Sequence, residues 1–272
     1  METLFYLPIW GIVFFFGASI GSFLNVVIGR LPAGISVLFP ASRCPKCLHK
    51  LRAWENVPVF AWFYLRGRCA HCHAPISIRY PLVEALTGFL FLLVFLQAPD
   101  FLHTVSYWVF ISWLLVLAFI DLDTMTLPNS LTESGLVLGL VFQMGLGWQT
   151  TGSLPGMLAA LFSGILGAVV GIWLLDIVTV VGSVAFGRTA MGGGDAKLAA
   201  MMGAWLGWKL LLVGGFLACV GGAFVGGGAI ALRAIDRRSP IPFGPFLAVG
   251  AAIAALWGEA LMAAYLRVFF PF

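Results

Sequence analysis

Long apolar runs separated by short polar breaks dominate the chain. They lie near residues 5–28, 82–98, 104–120, 130–147, 157–185, 196–207, 210–232 and 245–266, continuous in Leu, Phe, Val, Ala and Gly and without the alternation of barrel strands. Most reach the length that crosses a bilayer as a helix. The run 196–207 is unusually short, and its boundary with 210–232 is weakly marked. The pattern predicts an all-α polytopic membrane protein of about eight transmembrane helices. One polar stretch, 31–80, breaks it. Three parts follow: a first transmembrane helix over 1–30, a loop over 31–80, and a transmembrane core over 81–272.

Composition agrees with the pattern. At 61% hydrophobic and 10% charged residues, with mean hydropathy +1.03, the chain is excluded from the ordinary soluble class. Gly and Ala enrichment after residue 157 fits close packing of helices through small residues. No internal repeat is evident.

The basic residues orient the bundle. Arg30, Arg43, Lys46, Lys50, Arg52, Arg66, Arg68 and Arg79 fall between the first two runs, which predicts a cytoplasmic loop. Counting spans forward puts Arg188 and Lys197, then Arg233, Arg237 and Arg238, on the same side. Only Lys209 and Arg267 fall outside, so thirteen of fifteen basic residues obey one topology. The formal charge of +4 is therefore a topological signal, and nothing argues for nucleic-acid binding. The first run has Glu2 before it and Arg30 after it, the reverse of a cleavable signal peptide.

Two aspartates stand at the ends of apolar runs. Asp121 lies in Ile120-Asp121-Leu122-Asp123-Thr124-Met125-Thr126-Leu127-Pro128-Asn129, and Asp195 in Met191-Gly192-Gly193-Gly194-Asp195-Ala196-Lys197. A carboxylate at membrane depth costs roughly 2.5–3.5 kcal/mol on insertion scales, so each is a candidate functional residue. The derived topology gives both the same cytoplasmic depth. Two carboxylates sharing one water can act as an acid and base pair, the chemistry of peptide hydrolysis without a covalent intermediate. Gly192, Gly193 and Gly194 would admit an extended substrate close to the backbone. The structural alternatives are a helix N-cap for Asp195 and a snorkelling interfacial acid for Asp121. Asp123, nearer the polar loop, reads as solvated or supportive.

Within the loop, Cys44-Pro45-Lys46-Cys47 and Cys69-Ala70-His71-Cys72 are separated by 21 residues. Paired Cys-x-x-Cys knuckles offer four thiolates to one Zn²⁺. Disulfides are the alternative, disfavoured in a reducing cytoplasm. His49, His71 and His73 read as solvated loop residues, and Cys219 as a small buried hydrophobe.

Other chemistries fit less well. Asp176, Glu84 and Glu259 leave room for a proton-coupled transporter using Asp121, Asp176 and Asp195, although no two-halves symmetry is visible. A scaffold that only docks its partner through the zinc loop would not need both acidic motifs. Gly17-Ala18-Ser19-Ile20-Gly21 matches the nucleophile-elbow pattern but lies inside a span, where helix packing accounts for it better. Asn25 is expected to make an interhelical hydrogen bond. No H-E-x-x-H and no Rossmann glycine pattern occurs.

Together these residues resemble the bacterial type IV prepilin peptidases. Gly21 to Ile28 followed by Arg30-Leu31-Pro32, the paired Cys-x-x-Cys, Ile78 to Glu84, Asp121 to Asn129 and Gly192 to Lys197 carry the likeness, which covers most of the chain. Gly192-Gly193-Gly194-Asp195 is also similar to the G-x-G-D motif of presenilin-like proteases. The resemblance implies an inner-membrane aspartic endopeptidase with Asp121 and Asp195 catalytic. It would remove a basic leader from prepilins or pseudopilins after a glycine, on the cytoplasmic side, for type IV pili or type II secretion. It further implies N-methylation of the new N-terminal residue with S-adenosylmethionine.

Overall fold

The computed structural model describes residues 2–187, 192–234, 236 and 240–270. Arg188, Met191, Arg237 and Arg238, used in the topology and motif readings, lie outside them. The described residues form eight α-helices: α1 (Glu2–Arg30), α2 (Phe60–Tyr64), α3 (Arg79–Gln97), α4 (Phe101–Thr124), α5 (Asn129–Thr151), α6 (Leu154–Phe186), α7 (Gly193–Ala231) and α8 (Gly244–Phe269). A short 3₁₀ turn, Ala53–Asn56, precedes α2. Among the described residues no strand occurs beyond the isolated bridges Arg43 to Lys50 and Arg68 to Pro75. Six helices, α1, α3, α4, α6, α7 and α8, are long and apolar enough to cross a membrane, so the protein is a multi-pass membrane protein. Helix α5 is 23 residues long but carries Thr132, Glu133, Ser134 and Gln143, which lower its hydropathy. The chain divides into two compact units, 1–99 and 100–272.

In the first unit α1 packs on α3 through glycines. A Cβ at Gly17 would meet Phe91 Cβ at 2.7 Å, and one at Gly21 would meet the Glu84 Cα at 2.8 Å. This is small-residue packing, as expected for the Gly-x-Ser-x-Gly stretch. Ser19 donates back to the Phe15 carbonyl at 2.8 Å and does no more than cap its own turn. The interhelical bond expected of Asn25 is present, from its Nδ2 to the Tyr80 carbonyl at 3.1 Å.

The second unit runs up and down. Asn129 and Gly139 on α5 meet Lys197 and Trp205 on α7, whereas α6 pairs with α7 in the opposite sense, Gly171 against Ala199 and Gly167 against Gly203. Helix α7 spans 39 residues, about 58 Å if straight, nearly twice a hydrocarbon layer. It breaks at Gly207, whose φ of 70° and ψ of 171° suit glycine alone. Beyond the break Leu210 faces Gly258 of α8, Gly214 faces Gly250, and Gly226 faces Ile241. The second half of α7 therefore runs back towards the level of the α8 N-terminus. That resolves the weakly marked boundary: 196–207 and 210–232 are two segments hinged at one glycine.

Cys219, expected to be buried, is exposed on the second half of α7. Its neighbour Ala218 is 1% exposed and takes the interior position. At the α6 to α7 crossing a Cβ on Gly203 would collide with the Gly167 carbonyl, backbone that cannot rotate away. Gly203→Val is expected to cost about 3 kcal/mol, the upper range of overpacking penalties, read as a lower unfolding temperature in detergent.

Candidate active site and metal centre

Asp121 occupies the last turn of α4, which closes on Met125 in the left-handed conformation. Only 5% of the aspartate is exposed. Its Oδ2 accepts a hydrogen bond at 2.9 Å from the backbone N–H of Gly244, the first residue of α8. A helix N-terminus offers unsatisfied amides and the positive end of its dipole, a natural partner for a carboxylate. Pro245 at the helix start has no N–H of its own, which leaves the Gly244 amide as the available donor.

Asp195 stands in the first turn of α7 and is 9% exposed. It is not the N-cap, as the structural alternative held; Gly192 takes that place. From the third helical position the Asp195 carboxylate lies near the Gly192 amide. The Asp195 N–H in turn donates to the Gly192 carbonyl at 3.2 Å. The two carboxylates lie close enough to interact electrostatically.

Further contacts join the two motifs. Lys197 Nζ donates to Asn129 Oδ1 at 2.7 Å, tying the start of α7 to the start of α5. Leu127 packs on Gly194, where an added Cβ would meet Leu127 Cβ at 3.1 Å. Gly194 thus answers to its own chain, while Gly192 and Gly193 are exposed with open space around them. Lys197→Met removes the tie without touching either carboxylate. It is expected to slow peptide cleavage about tenfold, in line with losing a hydrogen bond to a charged group, and to leave the helical content unchanged.

The other acids weighed from sequence stand in different surroundings. Asp123 and Asp176 are exposed, and so is Glu259. Glu84 belongs to the other unit, where its Oε2 accepts the Val59 amide at 2.7 Å. Sequence reading missed Gly244. The signal was there in Pro240-Ile241-Pro242-Phe243-Gly244-Pro245, a helix start marked by proline, but nothing local says what that start points at.

The loop builds a second site. The thiol sulfurs of Cys44, Cys47, Cys69 and Cys72 all lie within 4.8 Å of one another. Cys44 and Cys72 are 3.7 Å apart and Cys47 and Cys69 4.0 Å, close to the ~3.8 Å edge of a tetrahedron with 2.3 Å zinc–sulfur bonds and far beyond a disulfide. Each knuckle is wound alike. The amides of Leu48 and His73 return to the carbonyls of Cys44 and Cys69, and both residues adopt positive φ, 59° and 56°. A short repeat of 25 residues is therefore present in the fold, hidden in sequence because only the cysteines and the arginines before them recur. The Cys47 backbone amide holds the Cys44 thiol down to about 7. At Cys47 the His49 amide pulls the same way, but burial and the Cys72, Cys44 and Cys69 thiols outweigh it and push the group up to about 12. Four thiols facing one another cannot share negative charge without a cation. The cluster could hold a metal ion, and the rings of His49 and His71 stack on each other, centroids 4.8 Å apart, outside the four-thiol set.

Comparison with known proteins fits this geometry. Residues 15–98 match the Bacterial Peptidase A24 N-terminal domain and residues 108–227 the Type IV leader peptidase family. The chain is 39% identical to a prepilin leader peptidase/N-methyltransferase of Aeromonas hydrophila, covering 96% of this chain and 94% of that protein. It is 35% identical to the protein of that name from Pseudomonas aeruginosa, over 92% of this chain and 91% of the relative. A third, from Myxococcus xanthus, is 41% identical over 84% of this chain and 64% of its own length. No solved structure matches. With two family models in order along the chain and relatives 35–39% identical over more than nine-tenths of it, the protein belongs to the type IV leader peptidase family.

Proposed function

We propose that this protein removes the basic leader from type IV prepilins or pseudopilins by aspartyl-dyad hydrolysis and then N-methylates the new N-terminus. Support for cleavage comes first from the packing of the two acidic motifs on one another, Leu127 on Gly194 and Lys197 on Asn129, with a backbone amide of a third segment bonded to Asp121. In this reading one carboxylate takes a proton from water as the oxygen attacks the scissile carbonyl, and the other, protonated, gives its proton to the carbonyl oxygen. Collapse of the hydrated intermediate returns a proton to the leaving amine.

The site faces the cytoplasm of a bacterial inner membrane, supported by the positive-inside bias of the chain. A substrate presents its apolar helix among the spans and its leader outside. Gly192 and Gly193, open and without side chains, suit close approach of a substrate backbone whose own residue before the cut is glycine. The functional parts are the first span over 1–30, the zinc-binding loop over 31–80 and the peptidase core over 81–272. By family resemblance the methyl donor is S-adenosylmethionine.

The loop metal is a structural Zn²⁺ held by Cys44, Cys47, Cys69 and Cys72, as the all-thiol donor set and the sulfur spacing favour. Metal analysis is expected to give about one zinc per chain, and Cys44→Ser with Cys69→Ser to lose it. Retention of zinc by that double variant would refute the assignment. Incubating purified protein with a prepilin, with and without S-adenosylmethionine, tests the whole reading by product mass. Leader loss with no further gain in mass on adding the donor would leave the peptidase and remove the methyltransferase.

A further inference from the structure

The polar loop contains an apolar stretch that its zinc chemistry does not use. Trp54, Val57, Phe60, Phe63 and Tyr64 are all exposed, Phe63 at 65% and Tyr64 at 78%, and with Ala61 they line an open apolar depression. On a loop in water this patch would be costly and sticky. Its location in the first unit gives the reason. The Phe60 ring lies 5.5 Å from the ring of Phe15, and Phe15 is fifteen residues before the end of α1, roughly 22 Å along the helix axis from Arg30. Val59 is bound to Glu84, five residues inside α3. The segment therefore does not hang beyond the spans. It dips alongside them.

The surface it joins is that of a span. Ile12, Phe15 and Phe16 are exposed on α1, within the apolar run that crosses the membrane, and Phe60 extends that face. We propose that residues 57–64 form a re-entrant element inserted beside α1, with phospholipid acyl chains covering Val57, Phe60, Phe63 and Tyr64.

Much of the backbone hydrogen bonding that hydrocarbon demands of an irregular segment is made internally. The Val59 amide goes to Glu84, and the Phe60 and Ala61 amides go to the Pro58 and Val57 carbonyls. The amides of Leu65, Arg66 and Gly67 return to Ala61, Phe63 and Trp62. Trp62 Nε1 donates to the Ile76 carbonyl at 3.0 Å, anchoring α2 to the chain that enters α3. Glu84 thereby acquires a role without any proton relay: it is the acceptor for an amide that water would not reach. Arg52, Arg66 and Arg68 flank the element and are exposed, as suits residues at the level of anionic headgroups. The proposal is independent of which peptide bond the enzyme cuts.

The test uses the full chain with zinc bound. A trifluoromethylphenylalanine replaces Phe63 in one sample and Leu48, 64% exposed on the first knuckle, in a second. Both are reconstituted in nanodiscs of phosphatidylethanolamine and phosphatidylglycerol, and fluorine relaxation is read with a nitroxide on the lipid chain or a water-soluble gadolinium chelate. At position 63 the lipid nitroxide is expected to erase the signal and the chelate to leave it, with the reverse at position 48. Broadening of position 63 by the chelate would overturn the proposal. So would protection from both agents, which would mean that protein, either a second copy or prepilin added in a further sample, covers the patch instead of lipid.

Discussion

Asparagine at either Asp121 or Asp195 is expected to abolish leader removal, with a loss on the order of 10³-fold or more, as for a positioned acid or base. Both are needed because each can supply only one of the two proton transfers that hydrolysis requires. The amide is nearly isosteric and keeps an acceptor oxygen, so Asp121→Asn retains a partner for the Gly244 amide and the fold is little disturbed. Zinc content and methylation of an already shortened pilin serve as controls for folding. Asp123→Asn is expected to be much milder, since Asp123 is exposed while the dyad is buried. If either single variant at 121 or 195 cleaves prepilin near the wild-type rate, the dyad assignment fails.

The residues that sequence could identify are those whose type is unusual for their surroundings. A carboxylate ending an apolar run carries its own flag, and so do two thiol pairs at two-residue spacing within one polar loop. Asp121, Asp195 and the four cysteines are of this kind. The break at Gly207 was half legible, because a run too short to span implies a turn but does not say which glycine makes it. What stayed hidden depends on contacts between distant segments. Gly244 is 123 residues from Asp121, and only the antiparallel packing of α8 on α4 brings its amide to the carboxylate. The buried assignment for Cys219 failed for a similar reason. Cysteine and alanine are equally apolar, and helix rotation alone decides that Ala218 faces inward.

Gly244 offers a way to disturb the dyad without touching either acid. A Cβ built there lies 2.6 Å from Asp121 Oδ2 and 3.1 Å from its Cγ, well inside van der Waals contact. The helical backbone at this position tolerates alanine, so the strain falls on the side chain that can move, the Asp121 carboxylate. Displacing it by about 1 Å would break its alignment with water and with Asp195, for which a loss near 10²-fold in kcat is expected. KM should change little, because Gly192 and Gly193, proposed to meet the substrate, belong to a different segment. Zinc content should be normal, since the thiol cluster belongs to the other compact unit. Kinetics of Gly244→Ala with a purified prepilin separate these cases. A rise in KM with kcat preserved would show that Gly244 shapes a substrate pocket, and wild-type kinetics would show that the Asp121 carboxylate accommodates the added methyl without losing its working position.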